Sequence, residues 1–150
     1  FPTPENQNFE AWAHVFYDIM KALNPEETIL VGHSIGAPFI LRLAEETDRP
    51  YRAIFPVSAF HKTLGLGADY DVPNATFVEH VFDWSLIKAG AKDIVCYAGD
   101  DDPYVPLSIP KEVAGLLNAP LRVISEGGHL NAEFGYTEFP ALLSDIESFL

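Results

Sequence analysis

A single cysteine in 150 residues excludes an internal disulfide framework. Lys and Arg are scarce as well, nine against 22 Asp and Glu, for a formal net charge of −13. That balance argues against nucleic acid or an anionic membrane as partner, because both are bound through clustered Lys and Arg. No apolar run approaches the length of a membrane span, and none reads as a secretory signal. Internal repeats, low-complexity tracts and interdomain linkers are also lacking. Apolar residues, in contrast, make up 48% of the chain, ample for one core at this length. The expectation is a single cytoplasmic domain over 1–150, with Cys96 buried as a small hydrophobe in an apparent strand.

The pattern of elements is legible from end to end. Phe1-Pro2-Thr3-Pro4 reads as extended and turn-like, by its prolines. Phe9, Trp12, Ala13, Phe16, Met20 and Leu23 recur at helical spacing, so residues 8–23 form a helix whose aromatic stripe belongs in a core. Residues 28–31 and 52–57 read as strands, the second with Pro56 arguing against a central place in the ladder. An irregular stretch rich in Gly, Asp and Pro covers about 60–78, followed by a short helix over 84–89. Strands at 93–98 and 121–125 flank a helix at 111–117. The tail 140–150 is a helix opened by Pro140, with Leu142, Leu143, Ile146, Phe149 and Leu150 on its apolar side. Strands alternating with helices imply an α/β fold, a parallel sheet covered on both faces.

Between the first strand and the next helix lies Gly32-His33-Ser34-Ile35-Gly36. Thr28-Ile29-Leu30-Val31 before it is β-branched and apolar, and Ile35, Phe39, Ile40, Leu43 and Ala44 after it share one helical face. Pro38 falls in the first helical turn, where its missing N–H costs little. This is the setting of a nucleophile elbow, in which a serine on a sharp strand-to-helix turn points its hydroxyl over the sheet end. Gly32 and Gly36 are expected where side chains would collide with the neighbouring strand and helix. Alone, the pentapeptide is also compatible with a Gly-rich turn and a helix-capping serine.

A serine hydroxyl needs a base, and the base needs a third group to hold it in one tautomer. In open parallel sheets such groups gather at the carboxyl ends of the strands. Gly99-Asp100-Asp101-Asp102-Pro103 follows the third strand, and Asp102 is the candidate acid, because Pro103 biases it toward extended backbone. Asp100 and Asp101 read as a solvated acidic turn, and the run lacks the ligand spacing of a calcium loop. Glu126-Gly127-Gly128-His129 follows the fourth strand, where paired glycines let a loop carry His129 toward the nucleophile. His33 has a packing or supporting role, and His61 is a candidate to line a substrate pocket. No chemistry attaches to His14 or His80. The Ile35 N–H, next to the nucleophile at a helix N-terminus, is one oxyanion donor.

With these residues in view, GHSIGAPFILRLAEE, AGDDDPYVP and EGGHLNAEFGYTEFPALLSDIESFL resemble the small serine hydrolases related to retinoblastoma-binding protein nine, within the α/β-hydrolase superfamily. PTPENQNFEAW, VSAF at 57–60 and FDWSLIK at 82–88 resemble that family's intervening segments, so the likeness runs in order over nearly the whole chain. By motif, the nucleophile falls on Ser34, the acid on Asp102 and the base on His129. The resemblance implies hydrolysis of small ester or amide substrates with no cofactor and no metal. It also implies a further strand, Gly-containing loop and helix ahead of residues 2–12, the loop giving a second oxyanion donor. The sequence opens at Phe1 without them. The expected fold is therefore an α/β-hydrolase-like parallel sheet flanked by helices, lacking its N-terminal strand or strands, with residues 28–31 left as an edge. Loss of one oxyanion donor costs about a hundred- to a thousand-fold in kcat. The resulting expectation is a serine hydrolase, carboxylesterase-like, working through an acyl-enzyme. Its rivals are a non-catalytic module that binds a protein partner on the same scaffold, and a thioesterase or acyltransferase using the same three side chains.

Overall fold

The computed structural model describes residues 1–3 and 5–150; Pro4, part of the expected extended opening, lies outside them. Helix α1 (Phe9–Met20) starts at Asn8, whose side chain accepts from the Ala11 N–H and so satisfies one of the free donors of the first turn. A short 3-10 turn at Pro25–Glu27 leads into β1 (Ile29–His33), followed by α2 (Gly36–Glu46) and β2 (Ala53–Val57). Helices α3 (Ala68–Val78) and α4 (Trp84–Ala89) precede β3 (Cys96–Gly99), and α5 (Ser108–Leu117), β4 (Leu121–Ile124) and α6 (Pro140–Glu147) complete the chain.

The four strands are parallel in the order β1-β2-β3-β4. Alternation along them sends side chains to two cores. Leu30, Ile54 and Cys96 join the buried faces of α1, α2, α4 and α5 on one side of the sheet. Ala53, Phe55, Val57, Val95 and Tyr97 meet Leu142, Ile146 and Phe149 of the C-terminal segment on the other. Tyr97 donates to Asp145 at 2.6 Å and pins α6 to the sheet. Cys96 is fully buried, and burial pushes its thiol up to about 12, so it stays an inert hydrophobe.

Several expectations need correction. The stretch 60–78 is not irregular: α3 occupies its second half, with Pro73 inside it. Its apolar residues follow no helical period, because only Asn74, Phe77 and Val78 near its end are buried. Pro56 sits in β2, a central strand. The ladder accommodates it through a gap: Ile54 donates to Asp93 and Ser58 to Tyr97, while the intervening position toward β3 is the one with no N–H to offer. In the C-terminal segment Leu143 and Leu150 are exposed rather than on the packed face, and α6 ends at Glu147.

As expected, β1 is an edge, and Val31 is 46% exposed there. Its open side lines an apolar groove of about 440 Å³ that also receives Phe1, Trp12, Met20 and Gly36. That groove explains a further departure. A Cβ on Gly32 would lie 2.1 Å from the Gly36 carbonyl oxygen, as the elbow requires, but a Cβ on Gly36 would meet nothing within 4 Å.

Candidate active site

The turn from β1 into α2 holds Ser34 at φ +54°, a left-handed conformation that costs a serine about 1–3 kcal/mol. The surrounding bonds impose it. Ser34 N–H donates to the Val57 carbonyl at the end of β2, and the Ala37 N–H returns to the Ser34 carbonyl. From that turn the side chain reaches over the carboxyl ends of the strands, where Oγ meets His129.

Two further loops meet it there. Asp102, in the turn after β3, is 8% exposed, and its Oδ1 accepts from the N–H groups of Tyr104 and Val105 at 2.9 and 3.0 Å. Those two bonds orient the carboxylate and leave Oδ2 to face His129 Nδ1 at 2.8 Å. Burial pushes the Asp102 carboxyl up, but the bonds from His129, Val105 and Tyr104 outweigh it and hold the group below its ordinary range. As an ionised acceptor it keeps the His129 proton on Nδ1. His129 is 5% exposed, and its Nε2 lies 3.0 Å from Ser34 Oγ, so the nitrogen lone pair accepts from the serine hydroxyl. The structure thus brings Ser34, His129 and Asp102, read from three separate motifs, into one line of hydrogen bonds. Such a line can draw the proton off Ser34 as its oxygen attacks an electrophilic carbon.

The His129 loop is braced from both sides. Gly128 takes φ +53°, and its N–H donates to Asp101 Oδ1 at 2.7 Å, while the Glu126 N–H donates to Asp100 Oδ1 at 2.8 Å. Asp100 and Asp101 are therefore not merely a solvated acidic turn, since they tie the loop after β4 to the end of β3. His33 bonds the same loop: its Nε2–H donates to the His129 carbonyl at 2.7 Å, and burial pushes its imidazole below the ordinary range, favouring the neutral ring.

The Ile35 N–H has no hydrogen-bond partner among the described residues and lies at the start of α2 beside the nucleophile. Ser34 opens into a cavity of about 480 Å³ lined by His33, Tyr70, Tyr104, His129, Asn131 and Glu133. Tyr104 stands edge-on to the His129 ring and donates to Glu133, whose carboxylate pushes the tyrosine hydroxyl up. Tyr70 of α3 brings its hydroxyl to 3.4 Å from Ser34 Oγ. Sequence reasoning missed Tyr70 together with its helix. His61 is not among the residues lining this cavity: it packs on Trp84 beside Glu112. His80 donates to Glu45, and His14 lies exposed on α1 near Asp18. Among the described residues no group of three or more His, Cys, Asp and Glu is placed to hold a metal ion, and no helix is long and apolar enough to cross a membrane.

Comparison with known proteins identifies the family and the fold. The family model for serine hydrolases matches residues 3–148. The Bacillus subtilis protein YdeN is 31% identical over 150 residues, which span 99% of this chain and 76% of YdeN. The serine hydrolase RBBP9 of Rattus norvegicus is 35% identical over 125 residues, 83% of this chain but 62% of the rat protein. The solved structure of the B. subtilis ydeN gene product superposes with a TM-score of 0.88, covering 99% of this chain and 78% of that one. A meta-cleavage product hydrolase from Pseudomonas fluorescens, 15% identical, shares the fold at a TM-score of 0.67, covering 99% of this chain and 73% of its own.

Proposed function

Because the chain belongs to the serine hydrolase family, we propose that it cleaves small ester or amide substrates by acyl transfer, with Ser34 as nucleophile. The observation that carries this reading is the unbroken line from Ser34 Oγ to His129 Nε2 at 3.0 Å and from His129 Nδ1 to Asp102 at 2.8 Å. Its outer end opens on a cavity of about 480 Å³.

In this mechanism the substrate carbonyl carbon approaches Ser34 Oγ. The Oγ–C bond forms as His129 Nε2 takes the hydroxyl proton, and the carbonyl π electrons move onto oxygen. Asp102 stabilises the imidazolium without itself taking the proton. The Ile35 N–H, without a partner among the described residues and at a helix N-terminus, donates to the new oxyanion. Collapse of the intermediate expels the alcohol or amine, which receives the proton from His129. Water then gives a proton to His129 as it attacks the acyl-serine, and the second collapse breaks the Oγ–C bond, releasing the acid as His129 returns that proton to Ser34 Oγ. None of these steps calls for a cofactor or a metal. A cytoplasmic setting belongs to the same proposal, supported by a sole cysteine that is buried.

Hydrolysis of p-nitrophenyl acetate tests the reading. The chain should release nitrophenol with a burst equal to one acyl group per molecule, and Ser34→Ala should abolish both burst and turnover. Equal rates for the two would remove the proposal.

A further inference from the structure

Ser34 Oγ has a second polar neighbour, the Tyr70 hydroxyl at 3.4 Å. The proton of Ser34 is committed to the lone pair of His129 Nε2, so Oγ is left as acceptor and Tyr70 as donor. The phenolic O–H is therefore aimed at the reaction centre.

Its aim is held by the helix that carries it. The Gly67 carbonyl accepts from the N–H groups of Tyr70 and Asp71 at 3.0 and 2.8 Å, fixing the first turn of α3. The far end is anchored to α1 and α2. Thr76 Oγ1 accepts from the Phe9 N–H, its carbonyl accepts from Arg42, and Asn74 accepts from Gln7. Phe77 lies wholly buried against Phe9, Trp12 and Phe39.

At 3.4 Å this donor gives the resting hydroxyl little. An oxyanion would gain more, since it develops one carbonyl bond away from the carbon that Oγ attacks and needs donors at about 2.7–3.1 Å. An interaction that strengthens only as charge develops lowers the barrier rather than the ground state. We propose that the Tyr70 hydroxyl is an oxyanion donor that acts with the Ile35 N–H on the tetrahedral intermediate formed at Ser34. No proton is transferred in this role, and the hydrogen bond from Tyr70 shortens as negative charge reaches the former carbonyl oxygen.

The proposal rests on the acyl-transfer reading, and the test keeps the two apart. Tyr70→Phe keeps the ring and its packing. Its kcat for p-nitrophenyl acetate is expected to fall by about a hundred-fold with KM nearly unchanged. Affinity for a trifluoromethyl ketone, which forms a tetrahedral adduct with an active serine, should fall in parallel. Replacement of Tyr70 by 3,5-difluorotyrosine, whose hydroxyl ionises more readily, should add a falling alkaline limb to the kcat profile, because an ionised phenol cannot donate. A kcat within twofold of wild type, a loss confined to KM, or an unchanged alkaline profile would overturn the assignment. If Ser34→Ala abolishes turnover while Tyr70→Phe does not, Tyr70 alone loses its role. If Ser34→Ala has no effect, the underlying mechanism fails with it.

Discussion

His33 Nε2 donates to the carbonyl oxygen of His129 at 2.7 Å, so the residue just before Ser34 holds the backbone of the residue that faces it. Their rings lie 4.7 Å apart between centroids. The bond spans the last residue of β1 and the loop after β4, strands at opposite edges of the sheet. It acts as a strap across the strand ends and fixes the spacing of nucleophile and base.

Removal of the strap should be felt in rate and in stability. For His33→Ala we expect kcat to fall severalfold with KM little changed, and unfolding free energy to drop by about 1–3 kcal/mol as a partly buried carbonyl loses its donor. Steady-state kinetics and urea unfolding check this. A variant unchanged in both would show that His33 is incidental.

Two glycines should respond in opposite ways. A Cβ on Gly99 would lie 2.1 Å from the Gly128 carbonyl oxygen, where the end of β3 meets the His129 loop, so Gly99→Ala must push that loop away. The expected result is a lower melting temperature and a large loss of turnover. Gly36, the first residue of α2, has open space around it, and alanine at an unstrained glycine position stabilises by about 0.4–1 kcal/mol through reduced freedom of the unfolded chain. Gly36→Ala should therefore keep or raise the melting temperature, and a collapse there would contradict the groove described beside β1.

These contrasts mark what could be read from the chain. The strand and helix around Ser34, the acid turn ahead of Pro103 and the Gly-Gly-His loop were legible because each rests on local signals: β-branched runs, helical periodicity and turn residues. Helix α3 was not, because it buries only Asn74, Phe77 and Val78 near its end, too few positions to write a helical stripe. Tyr70 was lost with it. Pro56 misled for the opposite reason: a rule about average ladders does not foresee a gap at one donor position. The anchoring by Asp100 and Asp101 depends on the loop after β4 folding back over the end of β3, which spacing along the chain does not encode.

Acid should weaken the fold through Asp102. Its pKa is held below the ordinary carboxylate range, so the ionised group favours the folded state above that range, and this contribution is lost as pH falls through the folded value. The stability gap between wild type and Asp102→Asn should therefore be full at neutral pH and shrink below about pH 4. Urea midpoints measured across pH 7 to 3 read it directly. A gap that stays constant over the whole range would mean that the carboxylate charge adds nothing to the fold.

The most direct measurement is the intact mass of the chain after exposure to a fluorophosphonate. One phosphonyl group should add to the wild type, map to the peptide containing Ser34, and be absent from Ser34→Ala and greatly slowed in His129→Ala. Addition to wild type and Ser34→Ala at the same rate, or a label elsewhere in the chain, would contradict the role given to Ser34.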